Sequence, residues 1–376
     1  MVRGLVSIIT KIISFIIPIS DSILVFHSFP FFTDNSYAVY EHLKNFKCFR
    51  CIWLYDHNNI PKVNQECPPE IYDRFSFKGF WYFFRAKYIF CTHGINGFIS
   101  LYQKNKIVNL WHGMPLKCIG SMDSQSKGIS PTKADYLIAT SPLFQDFMSR
   151  SFNNMNKENV FIVGQPRNDL MFEKTDFYEK LNINRRKYNR VGVWLPTYKQ
   201  SYIGDVRCDG IFNNDGISFL SYEDLKELNE LIAKMNDLLI IKLHPMDILQ
   251  LKQNLPIFSN IIILKEVEFN SQLYPFLGSC DYLLTDYSSV WVDYEILNRP
   301  IGFVLNDIDE YKNTRGLMVD NLPDILPGPI LSNIKALKNF CTNPDAYNYQ
   351  RSEMFNTYRD NYATERLLRK LGINVI

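Results

Sequence analysis

The sequence predicts an α/β protein of two domains. Three observations carry this. Short apolar runs alternate with segments of helical period, the alternation halts at a charged stretch near residue 180 and restarts, and 376 residues exceed what one core comfortably holds. Hydrophobic residues make up 46% and charged residues 21%, which places the chain among globular proteins and excludes extended disorder. The net charge of +2 singles out no partner, and nucleic acid is not expected. Eight scattered cysteines form no framework and read as reduced thiols. Cys48 and Cys51 have C-x-x-C spacing with His57 and Cys67 nearby, but no second ligand pair follows. Buried thiols fit that pattern better than zinc.

The first element is residues 5–19, too short and too interrupted by Lys11 for a membrane span. Wound as a helix, the segment places Arg3, Ser7, Thr10, Lys11 and Ser14 on one stripe and apolar side chains on the rest. Residues 1–20 thus form an amphipathic helix, which fits a membrane interface and equally a core-packed helix. Residues 75–88 interleave aromatics with Lys78, Arg85 and Lys87, a mixture suited to anionic headgroups or to a core helix with solvated cations. Strand-like runs follow at 23–26, 51–54, 88–91, 107–110, 136–139 and 160–163, with helical patterns at 37–44 and 142–151. They define an N-terminal domain over 21–180. A C-terminal domain over 181–347 has strand runs at 191–195, 239–243, 261–264, 282–284 and 301–304, and helices at 222–235, 272–279 and 288–297. Residues 348–376 read as a closing helix that crosses back to the first domain. Strands alternating with helices imply parallel sheets covered on both faces. Two Rossmann-like domains result, with ligands expected beyond the carboxyl ends of the strands, in the cleft between the domains.

The chemistry-bearing residues sit at those strand ends. Trp111-His112-Gly113-Met114-Pro115 follows the run 107–110. Gly113 permits close backbone approach, and His112 suits general-base work or a structural hydrogen bond. In Lys242-Leu243-His244-Pro245, strand alternation points Lys242 and His244 the same way, a pairing suited to phosphate oxygens or to a solvated lysine beside a structural histidine. Ser288 and Ser289 open a helix, where free N–H groups and hydroxyls favour an anion or simply cap the helix. Asp293 lies one turn on and could accept from ribose hydroxyls. Arg167, in Gly164-Gln165-Pro166-Arg167-Asn168-Asp169, could clamp a phosphate, and Pro196-Thr197 offers a hydroxyl and an N–H.

WHGMPLKCIG, VGQPRNDL, LPTYK, KLHP, TDYSSVWVDYEILNRPIGF and Asp309-Glu310-Tyr311 with Arg315-Gly316 occur in that order. Together they resemble the CDP-glycerol glycerophosphotransferase family of wall teichoic acid and capsule synthesis, over roughly residues 85–320. The resemblance implies a GT-B type fold. It implies catalysis by His112 and His244. It implies donor binding by Trp111, Gly113, Met114, Pro115, Arg167, Pro196, Thr197, Lys242, Leu243, Ser288, Ser289 and Asp293. Met114 departs from the threonine frequent in the family. The implied donor is CDP-glycerol or another CDP-polyol, including CDP-ribitol. The implied acceptor is a lipid-linked (undecaprenyl-diphosphate) glycan, reached by a peripheral protein at the cytoplasmic face of the cell membrane. CMP is the leaving group and no cofactor is expected. The length resembles the short priming members. Two rivals remain: a GT-B transferase using a nucleotide sugar, and a non-catalytic assembly subunit.

Overall fold

The computed structural model describes residues 2–57, 69–97, 99–102, 104–123, 133–175, 177–196, 216–243, 256–264, 273–305, 318–319, 322–347 and 353–374. The chain divides into two compact units, one from residues 1–114, 120–170 and 360–376, the other from 115–119 and 171–359.

The first unit is built on seven parallel strands: β1 (Ser20–His27), β2 (Arg50–Tyr55), β3 (Glu70–Asp73), β4 (Ala86–Cys91), β5 (Lys106–Asn109), β6 (Tyr136–Ala139) and β7 (Val160–Ile162). Their order is β3-β2-β1-β4-β5-β6-β7, so strand order reverses between β1 and β4. In a doubly wound sheet that reversal marks where ligands bind. Leu24, Val25 and Phe26 in β1 are fully buried, as a central parallel strand covered on both faces requires. The helices are α1 (Val2–Ile16), α2 (Asp34–Leu43), α3 (Phe77–Arg85), α4 (Pro142–Ser151) and the single turn α5 (Pro166–Asp169). Ser141 caps α4, its Oγ accepting from Phe144 N at 3.4 Å, with Pro142 in the first turn where a missing N–H costs nothing.

α1 is turned the opposite way from an ordinary surface helix. Three hydroxyls of its polar stripe, Ser7, Thr10 and Ser14, face the protein. Ser7 Oγ meets Ser100 Oγ at 2.6 Å, Thr10 Oγ1 accepts from Ser100 N at 3.0 Å, and Ser14 Oγ donates to Asn105 Oδ1 at 3.2 Å and accepts from Tyr102 N at 3.0 Å. Asn105 Nδ2 in turn donates to the carbonyls of Phe84 and Ala86, tying the helix to the end of α3. Ile8, Ile9, Ile12, Phe15 and Ile16 are left 46–71% exposed. No helix among the described residues is long and apolar enough to cross a membrane.

The second unit holds five parallel strands, β8 (Val191–Leu195), β11 (Leu238–Lys242), β12 (Ile261–Leu264), β13 (Tyr282–Thr285) and β14 (Ile301–Phe303), in the order β12-β11-β8-β13-β14. A short antiparallel hairpin, β9 (Gly216–Ile217) and β10 (Leu220–Ser221), precedes its principal helix. The helices are α6 (Phe177–Lys180), α7 (Tyr222–Lys234), α8 (Leu273–Ser279), α9 (Val290–Tyr294), α10 (Leu322–Ile325) and α11 (Ile334–Thr342). α7 begins with a capping box between Ser221 and Asp224. The fully buried ring of Tyr282 lies over Gly192, where a Cβ would sit 2.1 Å from the ring.

The closing helix is shorter than its sequence pattern suggests, Ala363–Lys370. Upstream side chains are engaged elsewhere. Asn356 Nδ2 donates to Val292 O at 2.7 Å and Glu295 Oε2 at 2.8 Å, and Arg359 pairs with Glu295 at 3.0 Å, all within the second unit. The helix itself belongs to the first unit. Asp169 accepts from its leading N–H groups, Ala363 at 2.9 Å and Thr364 at 2.8 Å. The helix expected over 288–297 is likewise divided into α9 and a 3₁₀ turn, Glu295–Leu297, that ends on Asn298 at φ 55°.

Candidate active site

In the first unit, two neighbouring strands end in the same dipeptide. β4 runs into Thr92-His93-Gly94, and β5 runs through Leu110 and Trp111 into His112-Gly113. β4 and β5 pair with Cys91 opposite Asn109, so both histidines emerge at one edge of the sheet. Both glycines hold positive φ, 85° at Gly94 and 135° at Gly113. Trp111 is also left-handed, at φ 54°, a conformation that a bulky residue adopts only when its surroundings impose it. Here Trp111 N donates to Asn109 Oδ1 at 3.0 Å, and Asn35 Nδ2 donates to the carbonyls of Leu110 and Trp111 at 3.2 and 3.0 Å. The bend directs His112 out to solvent, where its side chain is exposed.

Thr92 organises both rings. Its carbonyl can only accept, so His112 Nδ1, 3.3 Å away, carries the proton and Nε2 keeps its lone pair. Thr92 Oγ1 accepts from Phe29 N at 3.3 Å and shares a hydrogen bond with His93 Nδ1 at 2.9 Å. The imidazoles of His93 and His112 stack face to face, centroids 3.9 Å apart and planes within 3°. Trp111 lies 4.3 Å from the His112 ring. The surrounding protein strips water from the inner side of His112 and lowers its pKa. Asp34 and the Thr92 carbonyl oppose that shift, and Arg167 adds to it. His112 is therefore neutral at pH 7, the state a general base requires.

Arg167 is placed differently from a free phosphate clamp. It is 4% exposed, pairs with Asp34 at 2.9 Å, and its N–H donates to Asn35 Oδ1 at 3.0 Å. Gln165 is fully buried beside Asn35, with 3.4 Å between Oε1 and Nδ2. The segment 164–169 thus braces the Trp111 bend and, through Asp169, the closing helix. Met114 is fully buried, so the departure from threonine falls in packing. Pro115 is buried and opens the segment 115–119 that belongs to the second unit.

In the second unit, three predicted positions fall on adjacent strand ends. Ile241 stands opposite Trp194, which sets Lys242 beside Leu195, and Thr285 pairs with Leu195 from the other side. Thr285 Oγ1 donates to Leu195 O at 3.0 Å, fixing the edge where Pro196 follows. Lys242, Pro196 and the Ser288-Ser289 turn after β13 thereby share one carboxyl edge at the second reversal of strand order. Both serines are half-buried, and Ser289 makes no capping bond with its side chain, although Ser288 Oγ is 3.5 Å from Val290 N. Leu243 is buried. Asp293 is fully buried and accepts from Tyr274 Oη at 3.4 Å. His244, Thr197 and the segment 309–316 lie outside the described residues.

The residues that sequence reasoning missed are Thr92, His93, Asp34, Asn35 and Gln165. His93 carried a readable signal, since it too is a histidine followed by glycine directly after an apolar run. Asp34 and Asn35 carried none, because their partners are more than 70 positions away.

Two doubly wound units with polar groups gathered on their carboxyl edges define an α/β enzyme of the GT-B class. The sequence profile of the family described as CDP-glycerol:poly(glycerophosphate) glycerophosphotransferase matches residues 9–372, and the chain belongs to that family. It is 24% identical to a teichoic acid glycerol-phosphate transferase of Staphylococcus aureus, over 89% of this chain and 88% of that protein. It is 26% identical to a teichoic acid poly(glycerol phosphate) polymerase of Bacillus spizizenii, over 95% and 91% of the two chains. Among solved structures it is similar in fold to a variant of the wall teichoic acid polymerase TagF, with a TM-score of 0.76, 22% identity, and coverage of 97% of this chain and 90% of that one. The chain is thus an enzyme of a CDP-glycerol glycerophosphotransferase family.

Proposed function

We propose that this enzyme transfers glycerol phosphate from CDP-glycerol to a hydroxyl of a lipid-linked glycan and releases CMP. The observation that carries the reading is His112, exposed at a strand end with Nδ1 held by the Thr92 carbonyl and Nε2 left to accept a proton. The acceptor oxygen attacks the phosphorus that bears glycerol, and its proton passes to Nε2. The bond from that phosphorus to the bridging oxygen breaks, and CMP leaves with that oxygen. Lys242, the Ser288-Ser289 turn and, by family resemblance, His244 would neutralise charge on the donor phosphates.

A lipid-linked acceptor suits α1. The hydroxyls of Ser7, Thr10 and Ser14 are satisfied inside the protein and its isoleucines face outward, with Lys11 exposed among them. Phe77 and Trp81 on α3 are 84% and 38% exposed beside Lys78. Such surfaces seat a protein in a bilayer interface without spanning it. Length does not separate priming from polymerising, because the Bacillus spizizenii polymerase is matched over 91% of its own length.

The test supplies CDP-glycerol, CDP-ribitol or a UDP-sugar with an undecaprenyl-diphosphate disaccharide, and reads nucleotide release and product mass. CMP release with CDP-glycerol and an added mass of one or more glycerol phosphates is the expected result. Release of UDP instead would overturn the reading.

A further inference from the structure

We propose that His93 is a positioning residue for this phosphotransfer: its ring backs the His112 ring, fixes its plane and closes its inner face to water. This rests on His112 being the base. The geometry is specific. Two adjacent parallel strands deliver the two imidazoles at one edge, and Thr92 holds each by a different group, the carbonyl for His112 and the hydroxyl for His93. The rings overlap within 3° at 3.9 Å. β4, which carries His93, borders the reversal of strand order, where the substrate of a doubly wound sheet lies.

A stacked pair of imidazoles accepts one proton at most without placing two cations in contact. The second proton is the costly one here. Burial and the neighbouring His112 push the His93 pKa down to about 3; Asp34 opposes this, and His27 and Arg167 reinforce it. His93 therefore stays neutral through the working range. It acts on His112 as a flat, uncharged wall that also meets Phe29 edge-on at 5.8 Å. Removing that wall lets water reach the inner face of His112, which raises the His112 pKa toward its ordinary value and frees the ring to tilt.

The experiment compares wild type with His93→Ala, His93→Gln and His93→Phe in two measurements, after circular dichroism has confirmed folding. The first follows His112 by NMR in ¹³C-histidine-labelled protein across pH, assigned with His112→Gln. The second is the pH profile of kcat/KM for CMP release. His93→Ala is expected to raise the His112 titration midpoint, move the acid limb up with it, and lower kcat by about 10–100-fold, the scale of a misplaced base. KM for CDP-glycerol should hold. His93→Phe, which keeps a flat ring, should restore most of the rate, and His93→Gln should not. An unmoved His112 titration with wild-type kcat in His93→Ala overturns the proposal. So does a folded His93→Phe as slow as alanine. A wild type that releases no CMP refutes the reaction and the role in it together, while the NMR arm separately decides whether His93 governs His112.

Discussion

Replacing Asp34 by asparagine isolates one charge in the site. Asp34 sits at φ 64°, a conformation asparagine tolerates equally, and asparagine Oδ1 can still accept from Asn35 N, as Asp34 does at 2.7 Å. What disappears is the negative charge facing Arg167. The pair is 2.9 Å long, with side chains 5% and 14% exposed. Their gross attraction is about 6 kcal/mol at an effective dielectric near 20. Taking the charge from one member of a buried ion pair costs roughly 3–5 kcal/mol, and the slight exposure of Asp34 argues for the lower end. A loss of about 3 kcal/mol corresponds to about 6–12 °C in the melting temperature of a unit this size. Urea and thermal unfolding at pH 7.5 measure it, and repetition in 0.5–1 M salt should leave most of the difference, since buried pairs are weakly screened. Asp34 also favours the charged form of His112, so the acid limb of CMP release should move to lower pH in the variant. A loss under about 1 kcal/mol, the range of an exposed pair, would refute the argument. An acid limb that moves up would refute the electrostatic part.

Other outcomes follow from the same geometry. His112→Ala should abolish CMP release and leave the melting temperature nearly unchanged, because the side chain is exposed. In the wild type, the acid limb of kcat/KM should fall below the ordinary histidine value of 6.5, since the protein desolvates the inner face of the His112 ring and lowers its pKa. His93 should make the fold acid-sensitive: above about pH 6.5 both states leave it neutral, and between there and about 3 only the unfolded chain takes the proton. Stability should therefore fall as pH falls, by about 2 kcal/mol at pH 5, and His93→Phe should remove that component in pH-dependent urea titrations. Ile12→Glu with Ile16→Glu should leave stability within about 0.5 kcal/mol, as these side chains are already exposed, yet abolish sedimentation with anionic vesicles.

The architecture was legible because the strands of parallel sheets are short continuous apolar runs. Val191–Leu195 and Tyr282–Thr285 stand out between helical patterns, and each becomes a central strand. β3 was not legible, since its four residues, Glu70–Asp73, are all half-buried at a sheet edge and show no apolar run. The bounds of the closing helix were misread for a related reason. Helical period continues upstream of Ala363, but Asn356 and Arg359 are held by Glu295 and cannot join the helix.

For the site, local sequence showed which residues could do chemistry but not which were already engaged. Arg167, Asp293 and Met114 all read as ligand contacts, and burial turns each inward, Arg167 onto Asp34 and Asp293 toward Tyr274. His112 is different because its exposure is constructed. A left-handed tryptophan, an asparagine from α2 and a neighbouring carbonyl together hold its ring outward, with Nδ1 the nitrogen bonded among the described residues. Strain and long-range hydrogen bonds gathered around one exposed imidazole are hard to account for by folding alone. A structural histidine would need none of them, whereas a base that must meet an incoming hydroxyl needs its ring fixed before the substrate arrives.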